Sequence, residues 1–158
     1  MTSSPSVLHD RDMYWMRRAI DLSKLCPPSE GAYSVGAVIV AADGTELSYG
    51  YSRETDAHVH AEGAALAKLP ADDPRLKTAT IYSTLEPCSQ RRHQVTPCSQ
   101  LILGADMARV VIAWREPTLF VADCVGVEQL VAGGIVVDEL PELAAVARAV
   151  NLHLLGNT

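Results

Sequence analysis

The chain has 158 residues, of which 48% are hydrophobic and 20% charged, a composition that suits one folded domain with a substantial core. Its net charge of −6 at pH 7 argues against a nucleic-acid partner, because such binding draws most of its affinity from cations placed on phosphates. The longest apolar runs, such as 110–114, are too short to cross a bilayer, and residues 1–6 lack the basic start and apolar core of an export signal. A cytoplasmic protein without membrane contact is expected. In that setting its four cysteines read as metal ligands or free thiols rather than disulfides.

In chain order, residues 1–9 read as a flexible tail and residues 10–158 as a single domain. From Asp10 to Leu25 the pattern is helical, with Met13, Met16, Ala19 and Ile20 on one face, and Pro27-Pro28 ends it. Val35–Val40 is a strand, Asp43-Gly44 a turn, and Leu47–Tyr51 a second strand, which together predict a hairpin. A small-residue helix over Ala61–Leu69 is stopped by Pro70. The β-branched and aromatic run Thr78–Thr84 predicts a third strand. A helix over Ser99–Leu103 is closed by Gly104, and Val110–Trp114 is a fourth strand. Val125–Ala132 then reads as a helix, and Ile135–Val137 as a fifth strand. Pro141 opens a last helix running to Leu155. The order implies an α/β fold, a mixed five-stranded sheet with helices on both faces.

Three residues in this layout have the chemistry of zinc ligands: His60, Cys88 and Cys98. Three protein donors leave the fourth tetrahedral position for water, which separates a catalytic zinc from a closed structural one. Glu62 stands two residues past His60, within reach of that water. His60 and Glu62 begin one helix and Cys98 begins another. Each helix follows a strand, so both N-termini are expected at the same sheet edge, where N–H groups and the helix dipole favour thiolates. The pairing of H-x-E with Pro-Cys and a later cysteine resembles the zinc-dependent nucleobase deaminases. In that reading Glu62 takes a proton from the zinc-bound water, the hydroxide attacks the carbon bearing an amine, and Glu62 returns protons to ring nitrogen and departing ammonia. His58 lacks the H-x-E spacing and reads as a neighbouring or surface residue. Cys26 and Cys124 have no partner at metal spacing and read as structural, while His9 and His153 read as uninvolved.

A closer resemblance rests on Thr84-Leu85-Glu86-Pro87-Cys88-Ser89, with nine residues (89–97) before the second cysteine. It extends through 108–113, Glu116-Pro117, Val121-Ala122 and 133–137, so that it covers roughly residues 12–155. These segments resemble the riboflavin-pathway pyrimidine deaminase domain. The resemblance implies a cytidine-deaminase-like three-layer α/β/α sandwich, zinc on His60, Cys88 and Cys98, a proton shuttle at Glu62, and a homodimer. It places substrate contacts at Ala32, Tyr33, Ser34, Ala61, Arg91, Arg92, His93, Thr96 and Trp114, with Arg91 or Arg92 on any phosphate. Departures fall in the substrate-reading loops. Ala32-Tyr33 stands where the family has Asn-Pro, and only Thr96-Pro97 is kept of the run before the second cysteine. No reductase half is expected.

Three readings follow. The first is a standalone deaminase of altered specificity, releasing ammonia from a small nucleobase, nucleoside or nucleotide, with a pyrimidine favoured. The second is the riboflavin-pathway diaminopyrimidinone ribosylamino phosphate deaminase proper. The third is a non-catalytic, zinc-stabilised binding domain.

Overall fold

Five strands form one mixed sheet through the middle of the molecule. They are β1 (Gly36–Val40), β2 (Glu46–Tyr51), β3 (Thr80–Leu85), β4 (Arg109–Trp114) and β5 (Val136–Glu139), in the spatial order β2-β1-β3-β4-β5. The structure, a computed structural model, describes residues 5–89, 96–115 and 125–155. β1 runs antiparallel to both β2 and β3, whereas β3, β4 and β5 are parallel. The hairpin expected from Asp43-Gly44 is the β1–β2 pair, with a bulge between Ile39 and Val40. β1 is buried along its whole length, as are all but the first residues of β3 and β4. Continuous apolar runs such as Val110–Ala113 therefore suit strands covered on both faces.

Helices cover both faces. α1 (Pro5–Ser23) packs on β1 and β3 with Met16, Ala19 and Ile20 fully enclosed. Met16 and Ile20 each contribute about 1.5–3 kcal/mol of apolar burial. α2 (Ala61–Ala67), α3 (Cys98–Gly104) and α4 (Gly126–Ala132) lie side by side on the other face. Two consecutive residues of β3 mark the division: the Tyr82 hydroxyl reaches Asp12 on α1, and the Ser83 hydroxyl reaches Glu62 on α2. α5 (Ala144–Ala149) packs on β4. This is the three-layer sandwich with the mixed five-stranded sheet that the pattern implied.

The first and last helices differ most from expectation. α1 begins at Pro5 rather than Asp10, so residues 5–9 of the expected tail are helical. The single last helix is instead a 3₁₀ turn (Pro141–Leu143), α5, and a short α6 (Leu152–Leu155). Asn151 stands at the break before α6. It is 1% exposed, and its amide accepts from Ser34 N at 2.6 Å and donates to Ser34 O at 3.1 Å. A 3₁₀ turn at Pro74–Thr78 was not anticipated; Pro74 opens it and the Asp73 carboxylate caps it through Arg75 N.

Candidate active site

Register decides where the chemistry gathers. Ala37 pairs with Ser83 and Leu85 with Trp114, so the start of β1 and the ends of β3 and β4 share one edge of the sheet. α2 and α3 begin there, as expected from their following β2 and β3. Close approach at this edge requires two glycines. A Cβ on Gly50 would collide with the backbone of Ala61 and Ala65, so only glycine lets the first turn of α2 settle on β2. A Cβ on Gly126 would meet the Pro87 carbonyl, which seats α4 beside the cysteine segment.

His60 is the extended residue before α2, and its carbonyl accepts from Ala64 N at 2.9 Å. Cys98 is the first residue of α3, after Pro97. His60 Nδ1 lies 3.5 Å from Cys88 Sγ and 3.5 Å from Cys98 Sγ. The three donor atoms all fall within 4.8 Å of one another. A tetrahedral zinc with bonds of about 2.1 Å to nitrogen and 2.3 Å to sulfur separates those ligands by about 3.6 Å. The donor set and its spacing therefore fit zinc.

The backbone prepares the sulfurs. Cys98 N donates to Cys88 Sγ at 3.2 Å, and Ser99 N donates to Cys88 O at 3.0 Å, so α3's first turn holds the other ligand's segment. Cys98 and His60 beside it pull the Cys88 thiol well below its usual range. Cys98, facing that sulfur and fully buried, is pushed up. Metal binding requires both as thiolates.

Glu62, in the first turn of α2, is 3% exposed. Its Oε1 meets Ser83 Oγ at 2.6 Å, and the same hydroxyl lies 2.8 Å from Leu85 O. Burial pushes this carboxyl above its ordinary range, opposed by contacts with Ser83 and Cys98 and by the His60 charge. Among the described residues no lysine or arginine pairs with it. The arrangement is a desolvated carboxylate, held by one hydroxyl, beside three metal donors.

The other expected contacts divide. Tyr33 and Trp114 pack edge to face, with ring centroids 5.6 Å apart, and the Arg148 guanidinium stands 5.8 Å from the Trp114 ring. Trp114 is a buried wall rather than an open stacking surface. Ser34 is buried as a strut, its hydroxyl accepting from Arg53. Ala61 is enclosed under α2, Ala32 is exposed, and Thr96 is exposed just before Pro97-Cys98. Arg91, Arg92, His93 and Cys124 lie outside the described residues, as do Glu116-Pro117 and Val121-Ala122. His58 is exposed. Cys26 is half-buried, its thiol donating to Val35 O at 3.5 Å and pushed up by burial.

Sequence reasoning missed the residues that support these groups. Ser83 sits in a strand read only as β-branched. Glu86 and Ser89 hold the start of α4 by accepting from Val127 N at 2.9 Å and Val125 N at 3.1 Å. Arg53 and Asn151 hold the Tyr33–Ser34 segment. All pair with residues far away in the chain, and even the cysteine motif that contains Glu86 and Ser89 does not mark these partners.

The fold and the donor set define a zinc-binding deaminase domain. A family model for the cytidine and deoxycytidylate deaminase zinc-binding region matches residues 9–114, and the chain belongs to this family. Among named relatives, it is 42% identical over 127 residues to the diaminohydroxyphosphoribosylamino-pyrimidine deaminase of Schizosaccharomyces pombe, covering 79% of this chain and 31% of that protein. It superposes on Acinetobacter baumannii RibD with a TM-score of 0.77 at 32% identity, covering 92% of this chain and 39% of that one. The Aspergillus oryzae Rib2 deaminase shares the fold, with a TM-score of 0.76 at 23% identity over 92% of this chain and 91% of that one. The chain spans about a third of the length of the curated relatives it matches first. Among the described residues no helix is long and apolar enough to cross a membrane.

Proposed function

We propose that this chain is a zinc-dependent hydrolytic deaminase that releases ammonia from a small aminated nucleobase, nucleoside or nucleotide, most readily a pyrimidine. His60, Cys88 and Cys98 hold the metal and Glu62 carries the protons. The observation that carries the reading is Glu62 itself. A carboxylate buried beside three metal donors, fixed among the described residues by the Ser83 hydroxyl and a contact with Cys98 and by no lysine or arginine, serves no purpose in a structural zinc site, where desolvation would only cost stability. When bound, zinc supplies Lewis acidity that makes water a competent nucleophile near neutral pH.

Glu62 accepts the first proton of the attacking water and delivers it to the ring nitrogen next to the amine-bearing carbon. It then takes the proton left on the added oxygen and gives it to the amine. The carbon–nitrogen bond breaks, ammonia leaves, a carbonyl forms, and Glu62 is ionised again. Ser83 keeps the carboxylate in one rotamer through both transfers. Tyr33 and Trp114 form one wall of the substrate space, and a phosphate on the substrate would fall to Arg91 or Arg92. A cytoplasmic homodimer completes the reading.

An ammonia-release screen of the zinc-loaded protein tests it. Cytosine, cytidine, their nucleotides, adenine, guanine and the diaminopyrimidinone ribosylamino phosphate are the substrates to include. Release from at least one is expected, and it should disappear together with stoichiometric zinc in Cys88→Ser. Stoichiometric zinc with no release from any of them would favour a binding domain instead. The 42% identity to the Schizosaccharomyces pombe deaminase supports a second reading, the riboflavin-pathway deaminase proper. Activity confined to the ribosylamino phosphate would select it.

A further inference from the structure

We infer that Arg53 is a positioning residue that clamps the segment bearing Tyr33 and Ser34 in its substrate-reading position. The inference deepens the deaminase reading and rests on it for the substrate's presence. Arg53 follows β2 at the site edge, in the left-handed backbone region with φ 61°, which a side chain other than glycine rarely adopts without compensation.

Its guanidinium supplies that compensation. Nε and Nη2 donate to Pro27 O at 2.9 and 2.7 Å, Nη1 donates to Tyr33 O at 3.2 Å, and Nη2 also donates to Ser34 Oγ at 2.9 Å. One planar fork thus ties both ends of residues 27–34, a geometry that lysine cannot reproduce. Three further bonds complete the clamp. The Asn151 amide brackets Ser34 N and O, and Val35 N donates to Ser52 Oγ at 3.0 Å. The clamped segment presents Tyr33 to Trp114, whose carbonyl accepts from Glu86 N at 3.0 Å, two residues before Cys88.

The backbone of the same residue faces the other way. Arg53 N donates to Val59 O at 2.8 Å, next to His60. Side chain and main chain therefore serve different parts of the site, the first the substrate side and the second the metal side. Removing the side chain should loosen only the substrate side.

Arg53→Gly removes the fork and tolerates the left-handed backbone, while Arg53→Lys keeps the charge without the fork. Zinc per chain, kcat, KM and amide hydrogen exchange are to be measured on both variants and on the unaltered protein, with whichever screened substrate is turned over. In both variants the Ser34 and Val35 amides should exchange at least tenfold faster. Protection of the residue-53 amide, corrected for intrinsic exchange, and zinc content should stay as they were, and KM should rise about tenfold with kcat within about twofold. Unchanged exchange at Ser34 and Val35 would overturn the clamp. Faster exchange with unchanged KM would overturn its part in substrate reading. Rescue of KM by lysine would show that charge alone suffices, against the fork. If the unaltered protein releases no ammonia from any substrate, the deaminase reading fails, and exchange alone still decides whether the clamp exists.

Discussion

Two buried carboxylates, one on each face of β3, are treated in opposite ways. Asp12 on α1 receives the Arg109 fork, Nη1 to Oδ1 at 2.9 Å and Nη2 to Oδ2 at 2.6 Å, together with the Tyr82 hydroxyl at 2.7 Å. Arg109 is in turn shared with Asp138 at 2.8 Å. Glu62 on α2, equally buried, has Ser83 and the metal donors but no lysine or arginine among the described residues. Neighbouring strand residues, Tyr82 and Ser83, thus hold a neutralised carboxylate and a poised one. A buried charge that is fully paired secures packing. One left without a lysine or arginine partner is costly to the fold and available for chemistry.

Neutral isosteres at the two carboxylates give the largest effects, and the effects should not overlap. Glu62→Gln is expected to lower kcat about 10³-fold while zinc stays bound. Its thermal midpoint should hold or rise, because a desolvated carboxylate has been removed. Asp12→Asn should cost about 3 kcal/mol in denaturant unfolding, since it strips the buried carboxylate from a mostly buried guanidinium and leaves only the half-exposed Asp138. Turnover per folded, zinc-loaded molecule should not move. If Glu62→Gln unfolds the protein, or Asp12→Asn abolishes turnover at full folding, the division between the two faces is wrong.

The hydroxyl is the next element to break. Ser83→Ala leaves Glu62 without the bond that fixes its rotamer, and kcat should fall about tenfold, or about 1.4 kcal/mol of barrier. KM and zinc content should stay constant, and Ser83→Thr should restore most of the loss. A fall in KM and kcat together, without rescue, would mean that Ser83 acts on substrate rather than on Glu62.

The order of elements along the chain, both helix N-termini at one edge, and the three donors with Glu62 were legible because each has a local signature. Apolar runs, turn residues and ligand spacing are written into contiguous sequence. The supports were not. Ser83 to Glu62, Arg53 to Tyr33, Asn151 to Ser34 and Asp12 to Arg109 all join elements far apart in the chain. A serine in a strand or an asparagine near the C-terminus carries no mark of its partner. The break at Asn151 illustrates the point: local propensity favoured one continuous helix, whereas the chain breaks at a residue whose side chain brackets Ser34, far away in sequence.

The smallest effect sharpens the comparison at its other pole. The Tyr82 phenol, 3% exposed, is pushed above its usual 10.0, first by burial and then by the Asp12 carboxylate that it donates to. A raised folded-state value means that its contribution is fully present below pH 10 and is lost as pH rises beyond it. There the unfolded chain releases the phenolic proton while the folded one keeps it. Stability should then fall by about 1.4 kcal/mol per pH unit from this group until the folded phenol also ionises. Tyr82→Phe should cost about 1 kcal/mol at neutral pH, because Asp12 keeps the Arg109 fork, and it should remove that share of the alkaline slope. Urea unfolding of both proteins at pH 8 and pH 11 measures it, with the gap between them narrowing or reversing at the higher pH. A gap that stays constant would show that Tyr82 ionises as readily folded as unfolded. The α1 face would then not be the closed, neutralised pole that its hydrogen bonds describe.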